Sequence, residues 1–204
     1  MTNDSGDSDT DNLTNNTSVT LTLGNIDSDA ASVEVFNGED SLGTATQVAG
    51  VWTLTTEVGD LDEGGNDLTV TVTDTAGNSN SSTILDVTLD TSASATIRIN
   101  AIGDDGILNA SELVGDLLGN VAITGSVGGD ASEGDTVTLS VTLNDGTTAS
   151  YTGLVSDSDT YSIGIPSAVL SVLTDTTISA SVSGTDAAGN IFTAISDATD
   201  GGFT

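Results

Sequence analysis

"DLTVTVTDTAGN", Asp67–Asn78, alternates apolar and polar residues and then breaks into a polar turn. Leu68, Val70 and Val72 fall on one side of an extended chain, and Thr69, Thr71 and Thr73 on the other. A period of two is that of a half-buried strand. Gly77-Asn78 fits a turn that needs positive φ. The pattern returns in "SASVSGTDAAGN", Ser179–Asn190, where Ala180 and Val182 continue the face begun by Ile178. Each copy sits between a penultimate and a final strand. The spacing of roughly a hundred residues is that of a repeat with one small β domain per copy.

Working outward, the same alternation recurs. Val19, Leu21 and Leu23 share a face, as do Val33 and Val35, Trp52 and Leu54, and Leu85, Val87 and Leu89. After Asp90 a second set begins with Ile97 and Ile99. Val121 and Ile123 follow, then Val137, Leu139, Val141 and Leu143, then Tyr161, Ile163 and Ile165. Asp145-Gly146 marks a hairpin. Two stretches read as short helices: "NASELVGDLLG", with Asn109 as N-cap and Glu112 three residues on, and "SAVLSVL" after Pro166. The chain is expected to be all-β, with antiparallel sandwiches of about seven strands each. The expected domains are residues 1–91 and 92–204, joined end to end by the short polar linker around Asp90–Ile97.

Composition restricts the partners. Asp and Glu total 31 against a single base, Arg98, for a net charge of −30 over 204 residues. Such imbalance often marks disorder. Here 36% of residues are hydrophobic and they alternate in register, so a core can form. Nucleic acid and anionic membrane surfaces are excluded as partners, because phosphates need Lys and Arg. No apolar run is long enough to span a membrane, and no signal-peptide pattern opens the chain. We therefore expect a fragment of something larger. With no Cys there are no disulfides.

The carboxylates gather where loops should lie. "DSGDSDTDN", Asp4–Asn12, places Asp4, Asp7, Asp9 and Asp11 together with no counter-charge. Two carboxylates about 4 Å apart repel by roughly 4 kcal/mol at an effective dielectric of ~20. Hard oxygen ligands in such number select calcium, and the lack of His and Cys disfavours zinc or copper. The plain alternative is a solvated acidic loop that aids solubility. An EF-hand does not fit: Asn12 stands at the turn-glycine position, Ser18 at the bidentate Glu position, and a strand follows. The other expected ligands are Asp74 in the turn before the last strand, Asp90 at the chain exit, and Asp104, Asp105, Asn109 and Glu112 in the first loop of the second domain. These could enclose one ion at the junction. Asp4–Asp11, and Asp186 with Asp200, would be half-sites for neighbouring domains.

Several stretches together resemble a known group. "DSGDSDTDNLTN", "GVWTLTT", "LTVTVTDTAGNSN" and "VTLDTSAS" resemble the bacterial Ig-like repeats of giant RTX-type surface adhesins. "ATIRINAIGDDGILNASE", "GSVGGDASEGDTVTLSV" and "ASVSGTDAAGN" resemble a calcium-dependent extender repeat of the same adhesins. The glycine-rich nonapeptide RTX motif is absent, and "DTSAS" replaces a proline-containing linker. The resemblance implies two tandem Ig-like sandwiches, calcium as the bound ion, and export by type I secretion to the cell surface. There the repeats hold a ligand-binding tip away from the cell. The expected partners are neighbouring Ig-like repeats of the same chain, in a monomer.

Two other functions compete. A recognition module would bind a glycan or protein through its loops, but aromatics make up only 3% of the chain. Trp52, Tyr151 and Tyr161 all fall in alternating strands, where they are expected in the core. Paired carboxylates can hydrolyse glycosides. Without His, Cys or Lys, loop Asp clusters are more simply metal ligands, and no enzyme is expected.

Overall fold

Alternation becomes strand wherever one face can be buried. A computed structural model describes residues 1–103, 105–109, 111–113 and 119–197. The chain divides into two units: Met1–Ser92 with Ala187–Asn190, and Ala93–Asp186 with the residues from Ile191 onward.

The first unit contains β1 (Leu13–Thr14), β2 (Thr20–Leu23), β3 (Ala30–Asn37), β4 (Asp40–Thr44), β5 (Thr46–Val48), β6 (Val51–Thr55), β7 (Gly64–Asp74), β8 (Ser79–Ser81) and β9 (Leu85–Leu89). One sheet runs β1-β9-β7-β3-β4, with β8 also on β7, and the other runs β2-β6-β5. Val19, Leu21, Val33, Val35, Leu54, Leu68, Val87 and Leu89 are buried between them. At roughly 1.5–3 kcal/mol per buried Val or Leu, this shared face is the main source of the unit's stability. Among the described residues there are nine strands where seven were expected. The additions are short: β1 has two residues and pairs in parallel with β9, and β8 is a three-residue piece ahead of β9. β4 and β5 escape a pattern reading because neither buries a residue fully.

The second unit contains β10 (Ala95–Ile99), β11 (Asn120–Gly129), β12 (Thr136–Thr142), β13 (Thr148–Leu154), β14 (Thr160–Pro166), α1 (Ser167–Leu170), β15 (Ile178–Thr185) and β16 (Ile191–Ile195). Its sheets run β10-β11-β14 and β13-β12-β15-β16. Ile123, Leu139, Ile165 and Ile178 are among its fully buried side chains. Asp145-Gly146 turns the β12–β13 hairpin as expected, with Gly146 at φ 83°. Tyr161 is core and donates its hydroxyl to the Arg98 carbonyl at 2.9 Å. Trp52 and Tyr151 are only half-buried.

The helix expected over "SAVLSVL" stops after four residues. Pro166 gives it no side-chain cap, and Leu170 is its one buried residue. Beyond it Val172 is exposed, while Leu173 still packs at the edge of the core without continuing the helix. Of "NASELVGDLLG", residues 110 and 114–118 lie outside the described residues. Its beginning shows the expected reciprocal cap. The Asn109 N–H donates to Glu112 Oε2 at 2.8 Å, and Asn109 Oδ1 accepts from the Ser111 N–H at 2.9 Å.

Candidate metal-binding loops

Asp4–Asn12 forms no strand. It is a polar loop held by its own side chains. Asp4 Oδ2 accepts the Asn12 N–H at 2.9 Å, and Asp11 Oδ1 accepts the Leu13 N–H at 3.1 Å. Asn12 stands at φ 61°. It thus supplies, without glycine, the left-handed turn that a DxDxD loop needs at its sixth position. The other oxygen of Asp4 is different. Oδ1 is buried and, among the described residues, is the one buried side-chain oxygen or nitrogen without a hydrogen-bond partner. A carboxylate oxygen removed from water and left unpaired is costly. A cation is the group that would satisfy it, since the sequence offers no base nearby.

Calcium fits this donor set in kind. The carboxylates, amide oxygens and hydroxyls of Asp4–Asn15 are the hard ligands it prefers. Among the described residues, however, no three Asp or Glu side chains gather into a metal-holding group. In this arrangement an ion at Asp4 has carbonyls, hydroxyls and water as its nearest further ligands, and Asp7, Asp9 and Asp11 would have to move in as it binds. Asp7 and Asp9 are exposed, and Asp7 engages through its backbone, donating to the Ala187 carbonyl at 3.1 Å.

Beside Asp4 lies a feature that sequence reading missed. Ser5 Oγ lies 2.9 Å from Thr14 Oγ1, 2.8 Å from Asn15 Oδ1 and 3.0 Å from the Ala188 carbonyl, and it accepts the Asn15 N–H at 2.9 Å. One hydroxyl proton faces more acceptors than it can serve. Ser, Thr and Asn carry no charge to mark them in a sequence, and only the fold brings residues 5, 14, 15 and 188 together.

Other expected ligands have local partners. Asp74 holds the turn after β7. Its Oδ1 accepts the N–H groups of Ala76 and Asn78, each at 2.8 Å, and its Oδ2 accepts Asn78 Nδ2 at 2.8 Å. The Asn78 side chain, helped by these backbone donors, holds the Asp74 carboxyl below the usual aspartate range. Because the folded pKa is depressed, the stability it contributes is present above the unfolded pKa and lost as pH falls through the folded one. Asp74→Ala should therefore melt below wild type at neutral pH, with the gap closing below about pH 4. Melting curves from neutral to strongly acidic pH check this, and a gap constant throughout would contradict it. Asp145 is lowered in the same way, chiefly by the Thr147 hydroxyl.

Asp90 is half-buried. Its N–H donates to the Thr14 carbonyl at 2.9 Å, and its Oδ1 accepts the Ser92 N–H at 3.1 Å. Glu63 accepts from both the N–H and the hydroxyl of Thr91, each at 2.9 Å. Asp105 is exposed and caps the Ile107 N–H at 2.9 Å, while Glu112 is engaged in the cap with Asn109. Asp186 is buried. Asp104 and Asp200 lie outside the described residues.

A model of the bacterial Ig-like domain family matches residues 1–91. No curated protein matches the chain. Among solved structures, part of a 1.5-MDa bacterial ice-binding adhesin is 30% identical, with a TM-score of 0.65 over 92% of this chain and 58% of that one. A calcium-stabilised adhesin that helps an Antarctic bacterium reach out and bind ice is 31% identical, with a TM-score of 0.54 over 90% of this chain and 43% of that one. The chain thus spans less than two thirds of the length of either.

Proposed function

We propose that the chain, whose residues 1–91 match a model of the bacterial Ig-like domain family, is a structural, non-catalytic extender segment of a large secreted adhesin, stabilised by calcium at its carboxylate loops. The buried, unpartnered Asp4 Oδ1 supports this reading most directly. Two adhesin structures about 30% identical to the chain add to it, one of them described as calcium-stabilised. Asp4 would be the central ligand of the first loop, with Asp7, Asp9 and Asp11 around it. Asp74, Asp90, Asp104, Asp105, Asn109, Glu112, Asp186 and Asp200 are the proposed ligands elsewhere. When bound, calcium supplies positive charge to loops that hold no base. The protein's own part is to present oxygens on turns fixed by Asn12 and the Asp74 cap.

In this reading the chain lies outside the cell, exported by a type I route. Its partners are further Ig-like repeats of the same polypeptide, and its work is to carry a ligand-binding tip away from the surface. Calorimetric titration of the chain with calcium and with magnesium tests the metal. Calcium should bind with the ~10⁻⁴–10⁻³ M affinity of extracellular modules. Magnesium should bind markedly more weakly, because it requires near-ideal octahedral geometry. Absence of calcium binding, or equal binding of the two ions, would overturn the reading.

A further inference from the structure

The two units are variants of one plan, and they differ at one edge. In the second unit β10 lies antiparallel on β11, pairing Ala95 with Gly129 through Ile99 with Gly125. β10 also packs against β15 and β16, and it buries Ile97 and Ile99 in the core. In the first unit β2 and β6 correspond to β11 and β14, and β7 with β8–β9 corresponds to β15 with β16. The second correspondence is fixed by the two Asp-x-Ala-Gly-Asn turns, and the first by the strand order of the two three-stranded sheets. Among the described residues no strand of the first unit takes the place of β10.

That place is a groove of about 710 Å³. Its apolar lining comes from Leu23, Ile26, Val70, Val72, Ile84 and Leu85. Ile84 is 57% exposed, and Val70 is only half-buried, whereas Val182, its counterpart when the two Asp-x-Ala-Gly-Asn turns are aligned, is fully buried. One border is the outer edge of β2. At Thr20 that edge is occupied: the Thr20 carbonyl accepts the Thr2 N–H at 3.0 Å, and the Thr20 N–H donates to Asn3 Oδ1 at 2.9 Å. Backbone groups in an antiparallel strand face the same edge every second residue. The N–H and C=O of Thr22 therefore face outward as well, and Thr22 lines the groove. This is the later half of β2, as Gly125–Gly129 under β10 is the later half of β11.

We propose that this groove is a strand-acceptor site for an extended polypeptide segment of the Ala95–Ile99 type. The segment would lie antiparallel to β2, with β-branched side chains alternating into the groove and a basic residue on its outward face. The apolar requirement follows from the lining and from what fills the same position in the second unit. The basic residue follows from charge, since the ionisable residues lining the groove are Asp27, Asp29 and Asp74, all acidic. In β10 itself the outward residue between the two buried isoleucines is Arg98. A second copy of this chain is a poor donor, because two molecules of charge −30 repel. Strand addition to an exposed edge takes its affinity from main-chain bonds and its selectivity from alternate side-chain pockets.

The full chain can be titrated with a synthetic peptide of the sequence of residues 93–100. Trp52 pairs with Leu23 across β2 and β6, so fluorescence of the single tryptophan reports on the site. The expected result is saturable binding of one peptide per chain. Binding should be at least tenfold weaker for the same peptide with both isoleucines replaced by aspartate. Thr22→Pro removes the outward N–H on an edge strand, where proline is tolerated, and should weaken binding as much. If that variant does not fold, the paired peptides still decide. No binding up to millimolar peptide, equal binding of the two peptides, or a chain dimer that excludes the peptide would overturn the proposal. Peptide binding is read in chelator, where no calcium is bound, so its failure and the failure of the metal titration are separate results.

Discussion

In millimolar calcium the chain should melt well above its melting temperature in chelator. The bare chain carries −30 with one base to offset it, and a compact state of that charge repels itself. An ion that binds only the folded state adds about 1.4 kcal/mol per site at ten times Kd and about 2.7 kcal/mol at a hundred times. For a domain of 60–100 residues each kcal/mol moves the melting temperature by roughly 4–8 °C. At the ~10⁻⁴–10⁻³ M affinity proposed above, 1 mM calcium is about one to ten times Kd, so one site is worth about 0.4–1.4 kcal/mol or roughly 2–11 °C, and several sites more. Sodium chloride at matched ionic strength separates binding from screening, which weakens exposed repulsions without a specific ion. Asp4→Asn should remove part of the calcium-induced rise while leaving melting in chelator as high as before or higher. It takes a charge away from a buried oxygen that has no partner without the ion.

The second large effect is expected at Gly125. This residue is paired on both sides, with Ile99 of β10 and Tyr161 of β14. A Cβ there would run into the Arg98 carbonyl and into the hydroxyl and ring of Tyr161. Gly125→Ala must displace β10, or turn out Tyr161 and break its bond to Arg98. Overpacking of this kind costs about 1–3 kcal/mol, and a lost hydrogen bond about 1 kcal/mol more. Tyr161→Phe removes only the hydroxyl and should cost about 1 kcal/mol. Thermal melting of the two variants checks the order. A Gly125→Ala chain that melts like wild type would contradict the β10–β11–β14 register.

The β architecture was legible because it rests on strict alternation. Val33 and Val35, Leu139 and Val141, and Ile163 and Ile165 each face a core, and a two-residue period leaves few other readings. What escaped were strands without that signature. β5 is exposed along its length, and β1 is placed only by its pairing with β9. At the candidate sites, sequence placed the carboxylates in loops but could not assign their partners. Asp74 and Glu112 stand out as charges, yet the structure shows each capping a local turn. Ser5 and Asn15, which crowd one hydroxyl beside Asp4, carried no signal. The open edge of β2 could not be seen in either repeat alone, because it is a difference between two units of one plan.

The most direct measurement is a crystal structure of the chain grown in millimolar calcium, with anomalous scattering used to identify the ion. The account predicts calcium at ~2.3–2.6 Å from Asp4 Oδ1, completed by oxygen ligands from the Asp4–Asn15 loop and water. A protein donor or a lone water on Asp4 Oδ1, with no calcium in that loop, would contradict it.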